Sequence, residues 1–188
     1  MDRAEGFRAL FAEAYGPLRR WAHHRGINGP DADDVVAETF TIAWRRFDDI
    51  PADAAVPWLY GVARNVARNH RRGEQRRARL ARVMPRSAPV PAADELADAL
   101  GDLNAPMLRE ALNALNNDDR EILQLVAWDG LEPTEAGIAL GCSAGTARVR
   151  LFRARTRFAA ALDSVTQRAN QTRSGRDRSL QEVPDVRT

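Results

Sequence analysis

The fold of this chain is decided by the segment from Glu132 to Arg157, which reads EPTEAGIALGCSAGTARVRLFRARTR. Pro133 suits the first position of a helix, Gly141-Cys142 makes a turn, and Ser143 is a preferred residue for capping the helix that follows. Helical spacing predicts that this second helix buries one apolar stripe, formed by Ala147, Leu151, Ala154 and Phe158. A short helix, a glycine-containing turn and a basic helix are the layout of a helix-turn-helix.

The opposite face of the second helix is rich in arginine. With the apolar stripe turned inward, the residues left to face outward are Arg148, Arg150, Arg153 and Arg157. Guanidinium groups bind phosphates and guanine edges in a bidentate manner, and the second helix of a helix-turn-helix enters the major groove of DNA. The residues alone allow two interpretations, a DNA-binding surface or the solvated basic face of an ordinary helical bundle.

Charge is banded along the chain although its total, +2, is nearly neutral. Residues 61–86 hold nine arginines and one acid, residues 87–140 hold two arginines and eleven acids, and residues 141–178 hold nine arginines and two acids. All 28 basic residues are arginine, which a GC-rich genome also favours. Because both basic bands fall on predicted helices, the pattern indicates a polyanion bound at two places, most simply a nucleic acid.

Composition predicts a soluble, cytoplasmic protein of 188 residues, of which 44% are hydrophobic. The single cysteine, Cys142, excludes an internal disulfide framework and suits a reducing compartment. Charged residues within the first eight positions interrupt any apolar run that could act as a signal peptide, and no apolar stretch approaches the length of a membrane span. The histidines form no spaced ligand set with Cys142, and no phosphate loop or nucleophile motif is found. We therefore expect no enzyme, metal or cofactor.

Helical periodicity runs through the chain, and no alternating pattern predicts a strand. We expect an all-α fold of two small helical domains joined by a flexible linker, with the helix-turn-helix in the second domain. The expected bounds are residues 1–83 for the N-terminal domain, 84–105 for a proline-rich and acidic linker, 106–163 for the C-terminal domain and 164–188 for a tail. The tail is predicted to be disordered because its polar composition lacks an apolar period.

Two predicted helices of the N-terminal domain carry polar faces. The second helix of this domain is predicted from Asp31 to Phe47. Its polar face lies opposite its apolar stripe and consists of Asp34, Glu38, Thr41 and Arg45. The third helix, from Trp58 to Arg82, has one stripe of Trp58, Val62, Asn65 and Asn69 and another of Arg64, Arg68, Arg71 and Arg72.

From residue 7 to residue 162 the arrangement resembles the extracytoplasmic-function (ECF) group of bacterial sigma factors, which are initiation subunits of RNA polymerase. Three segments carry the resemblance: DADDVVAETFTIAWRRF from Asp31, PWLYGVARNVARNHRR from Pro57, and residues 115–158 with GTARVRLFRAR from Gly145. They are similar, in this order, to the family's helix that docks on the clamp coiled coil of the polymerase, its helix that engages the −10 element, and its module that reads the −35 element.

The resemblance implies a role for each polar surface. Core polymerase would be bound by Asp34, Glu38, Thr41 and Arg45. The −10 DNA would be bound by Asp53, Trp58, Arg64, Asn65, Arg68, Asn69, Arg71 and Arg72, with Asn65 in a pocket for a flipped base that the loop 49–57 completes. The −35 DNA would be bound by Ser143, Thr146, Arg148, Val149, Arg150, Phe152 and Arg153. For each surface, a solvated helix face or a plain connecting loop is the alternative.

The resemblance also implies partners. These are core RNA polymerase, through its clamp coiled coil and its flap, promoter DNA, and an anti-sigma factor. The family's connector threads the RNA exit path, where Asp94, Glu95, Asp98 and Asp102 would stand in for nucleic acid. The alternative is that these acidic residues only keep the linker soluble.

Three departures from the family pattern fall in the −35 module. Ala136-Gly137 replaces a bulky apolar residue followed by alanine, and Gly137 costs about 1 kcal/mol of helix stability relative to alanine. Glu132 and Pro133 replace the usual aromatic residue and hydroxyl cap. Val149 stands where a small polar or basic residue is common in the family.

Two other functions compete with initiation. The runner-up is a stand-alone helix-turn-helix regulator that binds DNA without polymerase, usually as a dimer. The third is an interaction protein whose basic faces meet an acidic partner. The sequence favours the sigma factor because three motifs occur in the family's order and spacing.

Overall fold

The computed structural model describes residues 2–80 and 105–181, which form seven α-helices. The N-terminal module holds α1 (Arg3–His24), α2 (Pro30–Arg45) and α3 (Ala55–Leu80), with a 3₁₀ turn at Phe47–Asp49. The C-terminal module holds α4 (Ala105–Asn113), α5 (Asn117–Ala127), α6 (Pro133–Leu140) and α7 (Ala144–Gln181). The part of the chain that is described contains no strand, so the all-α prediction is confirmed for it.

Helices α1, α2 and α3 pack around one apolar core. Leu18, Trp21, Val35 and Leu59 are each at most 1% exposed. The predicted apolar stripe of α2 faces this core through Val36, Phe40 and Ala43. Thr39 is buried among them, but its hydroxyl donates to the Val35 carbonyl oxygen at 2.7 Å, so burial leaves no polar group of this side chain unsatisfied.

The C-terminal module has a smaller core of its own. Ile122 of α5 packs with Ala147, Leu151 and Ala154 of α7, as the periodicity of the basic helix predicts. The last residue of that predicted stripe, Phe158, is only half-buried. Helix α4 packs along the far part of α7, where the buried side chains are Leu108, Leu112 and Val165.

Several helix ends differ from the sequence prediction. Helix α3 begins at Ala55 rather than Trp58, because Pro57 fits in a first turn, where its missing N–H group is not needed. Asn117 and Asp118 are both preferred capping residues, so the sequence predicts one of them as the cap of α5. The cap is instead Asn116, whose side-chain oxygen accepts the Asp119 N–H at 2.8 Å.

The expected disordered tail does not begin at residue 164, because α7 continues to Gln181. Val165 is 3% exposed, and Arg168 forms an ion pair of 3.0 Å with Glu110 of α4. These contacts supply the packing that the polar sequence beyond Ser164 did not reveal. The predicted linker, except for Ala105, and residues 182–188 lie outside the described residues.

The two modules pack against each other and share one core. Leu125 of α5 and Leu131, Ala136 and Ala139 around α6 belong to the same apolar cluster as the core of the N-terminal module. Helix α3 lies directly on α6, and an added Cβ at Gly61 would come within 3.1 Å of the Ala139 carbonyl oxygen. The sequence predicted two linked domains but not this shared core.

Candidate nucleic-acid interface

The helix-turn-helix is built by two local caps. The Ser143 hydroxyl accepts the Thr146 N–H at 3.2 Å and also lies 2.9 Å from the Thr146 hydroxyl, so both side chains hold the start of α7. At the start of α6, the Glu132 side chain caps the first turn while the Glu132 N–H donates to Glu135 at 2.8 Å. The sequence departure at Glu132 and Pro133 is therefore a capping box rather than a weak helix start.

Gly137 lies where α6 packs closely against α7. An added Cβ would lie 3.0 Å from the Cys142 carbonyl oxygen and 3.4 Å from the Ala147 Cβ. Gly141 then turns the chain with a φ of 67°, and the Cys142 N–H donates to the Gly137 carbonyl oxygen at 2.9 Å. The helix-propensity cost of Gly137 is thus offset by a turn that holds α7 in place.

The outward surface of α7 divides into two faces. One face presents Arg148 together with Val149 and Phe152, which are 50% and 72% exposed. The other face presents Arg150, Arg153 and Arg157 toward the N-terminal module, where they line a cleft. Helical spacing explains the division, because residues three and seven positions after Arg150 follow one side of the helix.

The cleft has a volume of about 450 Å³ and lies between the two predicted DNA-binding helices, α3 and α7. Arg68 of α3 lies on one side, the three arginines of α7 lie on the other, and the first residues of α5 lie between them. Arg157 forms an ion pair of 2.5 Å with Asp119, and Asp118 approaches Arg68. These two aspartates reduce repulsion between arginines that the fold brings together.

Arg64 and Arg68 meet a carboxylate of the other module. Their Nη2 atoms lie 3.7 Å and 3.5 Å from Asp118 Oδ1. The Arg64 side chain is 14% exposed, and its burial, followed by repulsion from Arg68, lowers its pKa. The family resemblance implies that these arginines bind −10 DNA, and the sequence did not predict their contact with Asp118.

The other predicted −10 residues lie on the solvent side of α3 and the preceding loop. Asp53, Asn65, Asn69, Arg71 and Arg72 are all exposed. Trp58 is half-buried, and the Arg46 guanidinium carbon lies 5.5 Å from the centre of its indole ring. The exposed amide of Asn65 is free to meet a base edge, whereas the Trp58 ring is partly covered by a cation.

The predicted polymerase-docking face of α2 is also exposed, at Asp34, Glu38, Thr41 and Arg45. Glu38 lies 2.9 Å from the Nε2 atom of His70 on α3. The Thr41 hydroxyl donates to the Ala37 carbonyl oxygen at 2.9 Å, so it already has a partner within its own helix. The face therefore presents mainly charge.

Residues 2–80 and 105–181 contain neither a metal-binding cluster nor a membrane-spanning helix. No group of three or more histidine, cysteine, aspartate and glutamate side chains there could hold a metal ion. None of the helices there combines the length and the apolar character that crossing a membrane requires.

Two family models match the chain: Sigma-70 region 2 over residues 10–77, and Sigma-70, region 4 over residues 106–158. The RNA polymerase sigma factor NccH of Alcaligenes xylosoxydans xylosoxydans is 33% identical over 151 residues, which are 78% of this chain and 81% of NccH. The ECF RNA polymerase sigma factor EcfG of Rhodopseudomonas palustris is 30% identical over 163 residues, which are 86% of this chain and 88% of EcfG.

Two solved structures have a similar fold. The sigma factor RpoE in complex with the anti-sigma factor NepR from Bartonella quintana has a TM-score of 0.62 and 27% identity, covering 85% of this chain and 98% of that one. CnrH in complex with the cytosolic domain of CnrY has a TM-score of 0.58 and 27% identity, covering 86% and 90%. The two matched sigma-70 regions follow the order of the two helical modules, and the relatives are similar over most of their length. The chain therefore belongs to the ECF group of the sigma-70 family of RNA polymerase sigma factors.

Proposed function

We propose that this sigma factor binds core RNA polymerase through α2, captures melted −10 DNA with α3 and reads the −35 duplex with α7. The observation that carries the proposal is the exposed arginine face of α7 on a doubly capped helix-turn-helix. A sigma factor is an initiation subunit and not an enzyme, so the roles of these residues are recognition and positioning.

The −35 role belongs to the face of α7 that bears Arg148, Val149 and Phe152. Arg148 supplies a bidentate donor for a guanine edge or a phosphate, and the two apolar side chains suit contact with thymine methyl groups. Arg150 and Arg153, which line the cleft, contribute phosphate contacts. Ser143 and Thr146 act through the cap, which orients the first turn of α7 toward the DNA, and the Thr146 N–H is already used there.

The −10 role belongs to the exposed stripe of α3. The Asn65 amide both donates and accepts hydrogen bonds, as recognition of an unpaired base requires. Asn69 and the loop residue Asp53 extend this polar surface, and Trp58 offers an aromatic edge beside it. Arg64, Arg68, Arg71 and Arg72 bind the DNA backbone by charge, and such contacts weaken with salt. DNA competes with Asp118 for the first two of these arginines.

The polymerase role belongs to Asp34, Glu38, Thr41 and Arg45 on α2. A mixed set of exposed charges on one helix face suits a polar protein interface, in which charge complementarity sets orientation and association rate. The partner surfaces are the clamp coiled coil for α2 and the flap for the C-terminal module.

An anti-sigma factor is the expected regulator. The support is that RpoE was solved with an anti-sigma factor and CnrH with the cytosolic domain of CnrY, and both are similar to this chain. The site of action is the cytoplasm, where polymerase and chromosome meet.

The test is in vitro transcription with bacterial core RNA polymerase on fragmented genomic DNA, with mapping of RNA 5′ ends. We expect new start sites that share two upstream motifs at fixed spacing only when the protein is present. DNA binding by the protein alone, without new starts, would instead favour the stand-alone regulator.

A further inference from the structure

The cleft between α3 and α7 is lined by polar side chains. Four arginines come from these two helices, and four further residues come from the start of α5. The lining residues are Arg68, Arg150, Arg153, Arg157, Asn116, Asn117, Asp118 and Asp119. The cleft volume of about 450 Å³ falls within the usual range of small-molecule sites, about 300–1,000 Å³. Because such sites are mostly apolar, a lining of polar residues points to a small ligand that is recognised through its charge.

Positive charge is in excess in the cleft. Its lining holds four arginines and two aspartates, which gives a net charge of +2. The Asp119 carboxylate is already satisfied, because its Oδ2 atom accepts from Arg157 Nη1 at 2.5 Å and from Asn116 Nδ2 at 2.7 Å. The side chain of Asp118 is 74% exposed and lies 3.5 Å from Arg68. The two carboxylates therefore neutralise only part of the arginine charge.

Two arginines of the cleft have no partner of opposite charge. Within residues 2–80 and 105–181, the side chains of Arg150 and Arg153 form neither an ion pair nor a hydrogen bond. The excess charge acts across the cleft on Arg64 of α3. Burial, then repulsion from Arg68 and, less strongly, from Arg150 of α7, lowers the pKa of Arg64. An anion that enters the cleft would relieve this repulsion and give the unpaired guanidinium groups a partner.

The arginines of α7 form a row along the cleft. Arg150, Arg153 and Arg157 are three and four residues apart, so they follow one side of the helix over about 10 Å, at 1.5 Å per residue. Arg68 lies across the cleft on α3. Each guanidinium group presents a planar fork of N–H donors that matches the oxygens of one phosphate. A row of such forks matches the successive phosphates of a chain better than it matches a single phosphate.

The lining offers little for recognition of a nucleobase. Bases in proteins commonly stack on aromatic rings, and none of the residues that line the cleft is aromatic. The Asn116 amide is occupied, because its nitrogen donates to the Asp119 carboxylate at 2.7 Å and its oxygen accepts the Asp119 N–H at 2.8 Å. Asn117 is then the lining residue whose amide is left to meet a ligand. Phosphate groups are therefore the feature that this cleft is built to recognise.

We propose that the cleft binds a small linear chain of two or more phosphates, supplied as inorganic oligophosphate or as the phosphate chain of a nucleotide. Arg68 holds the chain from α3, and Arg150, Arg153 and Arg157 hold it from α7. Asp119 keeps Arg157 in position, while Asp118 competes with the anion for Arg68. Binding of this kind requires neither polymerase nor promoter DNA, so it stands apart from the proposed function and is tested without either.

The first measurement is isothermal titration calorimetry of the full chain with orthophosphate, pyrophosphate and tripolyphosphate, in metal-free buffer at constant ionic strength. Affinity should rise with the number of phosphates, by about tenfold or more from orthophosphate to tripolyphosphate, because each added phosphate reaches a further arginine through charge-assisted hydrogen bonds. Equal affinities for orthophosphate and tripolyphosphate, or no binding of tripolyphosphate, would overturn the proposal.

Adenosine triphosphate and adenosine distinguish the two sources of the phosphate chain. Affinities for adenosine triphosphate and tripolyphosphate that agree within about threefold would show that the phosphates alone are recognised. Tighter binding of adenosine triphosphate would support the same site and identify a nucleotide as its ligand. Adenosine lacks the phosphates and should not bind. Binding of adenosine as tight as that of adenosine triphosphate would contradict recognition through the arginines.

Two arginine variants locate the site, one on each side of the cleft. Arg68→Ala and Arg153→Ala should each weaken tripolyphosphate binding about tenfold or more, since each removes a guanidinium that bonds to the anion. Both side chains are exposed, so the fold should be kept, which far-UV circular dichroism checks. The matched control is Arg155→Ala, which removes an exposed arginine of α7 that lies outside the cleft lining.

The control separates a defined site from diffuse attraction between an anion and a basic helix. Arg155→Ala should bind tripolyphosphate like the wild type. If it weakens binding as much as Arg153→Ala does, the anion is attracted by net charge alone and the proposed site is wrong. If Arg153→Ala weakens binding but Arg68→Ala does not, the anion lies on α7 outside the cleft, which also overturns the proposal.

An aspartate variant tests the cleft from the opposite direction. Asp118→Asn removes the carboxylate that competes for Arg68, so it should tighten tripolyphosphate binding by about two- to fivefold, the range of an exposed ion pair. Asp163→Asn changes net charge equally at an exposed position of α7 outside the cleft lining and should have less effect. No gain in Asp118→Asn, or an equal gain in both variants, would contradict a site beside Asp118. Since every titration uses the free protein, failure here leaves the sigma function untouched.

Discussion

Arg64 Nη2 of α3 lies 3.7 Å from Asp118 Oδ1 of α5, so an arginine that the sequence assigns to DNA faces a carboxylate of the other module. Arg68 approaches the same oxygen at 3.5 Å. A single exposed aspartate thus pairs with two arginines that are proposed to bind the phosphates of −10 DNA. The first prediction follows from this competition.

Asp118→Asn should strengthen binding of the free protein to duplex DNA by up to about fivefold, the range expected for an exposed ion pair. Fluorescence anisotropy with a labelled duplex measures the change, and it should shrink as salt rises. The control is Asp163→Asn, an exposed aspartate of α7 whose replacement changes net charge equally. Equal gains in both variants would mean that net charge alone, and not the contact with Arg64, is responsible.

Arg148→Ala and Arg153→Ala should each weaken protection of the −35 element about fivefold or more. Arg148 is proposed to contact a guanine edge or a phosphate, where a bidentate base contact is worth about 1–3 kcal/mol, and Arg153 is proposed to contact a phosphate. Nuclease footprinting with the polymerase holoenzyme measures the effect. Arg168 lies farther along the same helix and contacts Glu110. The control Arg168→Ala should therefore leave protection of the −35 element unchanged. Unchanged protection in the first two variants would refute α7 as the recognition helix.

Asn65→Ala should slow promoter opening by about tenfold while core binding is kept, since it removes one hydrogen-bonding amide from the base pocket. Permanganate reactivity of unpaired thymines measures opening, and gel filtration with core polymerase measures binding. Asn170→Ala removes an exposed amide at the far end of α7 and should change neither. Loss of core binding in Asn65→Ala would move this residue out of the −10 site.

Glu38→Arg should abolish binding to core polymerase, because it reverses a charge on the proposed docking face and places a cation beside His70. Gel filtration or surface plasmon resonance with core polymerase gives the result. Glu13→Arg, with an equal charge change at an exposed site of α1, should bind normally. Normal binding by Glu38→Arg would show that this part of α2 is only solvated.

Gly137→Ala should destabilise the protein by up to about 2 kcal/mol. Overpacking against the Cys142 carbonyl and Ala147 costs about 1–3 kcal/mol, and alanine recovers about 1 kcal/mol of helix propensity. Thermal unfolding followed by far-UV circular dichroism should show a Tm lower by up to about 8 °C.

Gly145→Ala is the matched control for that experiment. A Cβ at Gly145 meets only Ser143 Oγ at 4.0 Å, so the change should be neutral or stabilising by up to about 1 kcal/mol. Equal loss in both variants would show that the crossing of α6 and α7 does not require glycine at position 137.

The helices were largely predictable because their signals are local. Pro133, Ser143 and the apolar stripe of α7 act over three or four residues, and the caps and the buried side chains were found where this spacing places them. The same local patterns identified the polar faces of α2 and α3. The order of the motifs was enough to indicate the family, because each motif is a continuous stretch of sequence.

Contacts between distant residues were not predictable in this way. The sequence marked Gly137 as a defect, and only the position of Cys142 and Ala147 shows that a side chain does not fit there. The polar stretch after Ser164 was predicted to be disordered. It is helical because Val165 is buried and Arg168 forms an ion pair with Glu110.

The sequence by itself determined the all-α class, the helix-turn-helix and the exposed basic faces, because helix periodicity and capping depend on neighbours along the chain. Only the tertiary structure decided that Arg25 pairs with Asp129, that Arg64 faces Asp118 and that both modules share one core. These contacts join residues far apart in sequence, and their energy comes from burial and charge pairing that exist only after the modules meet.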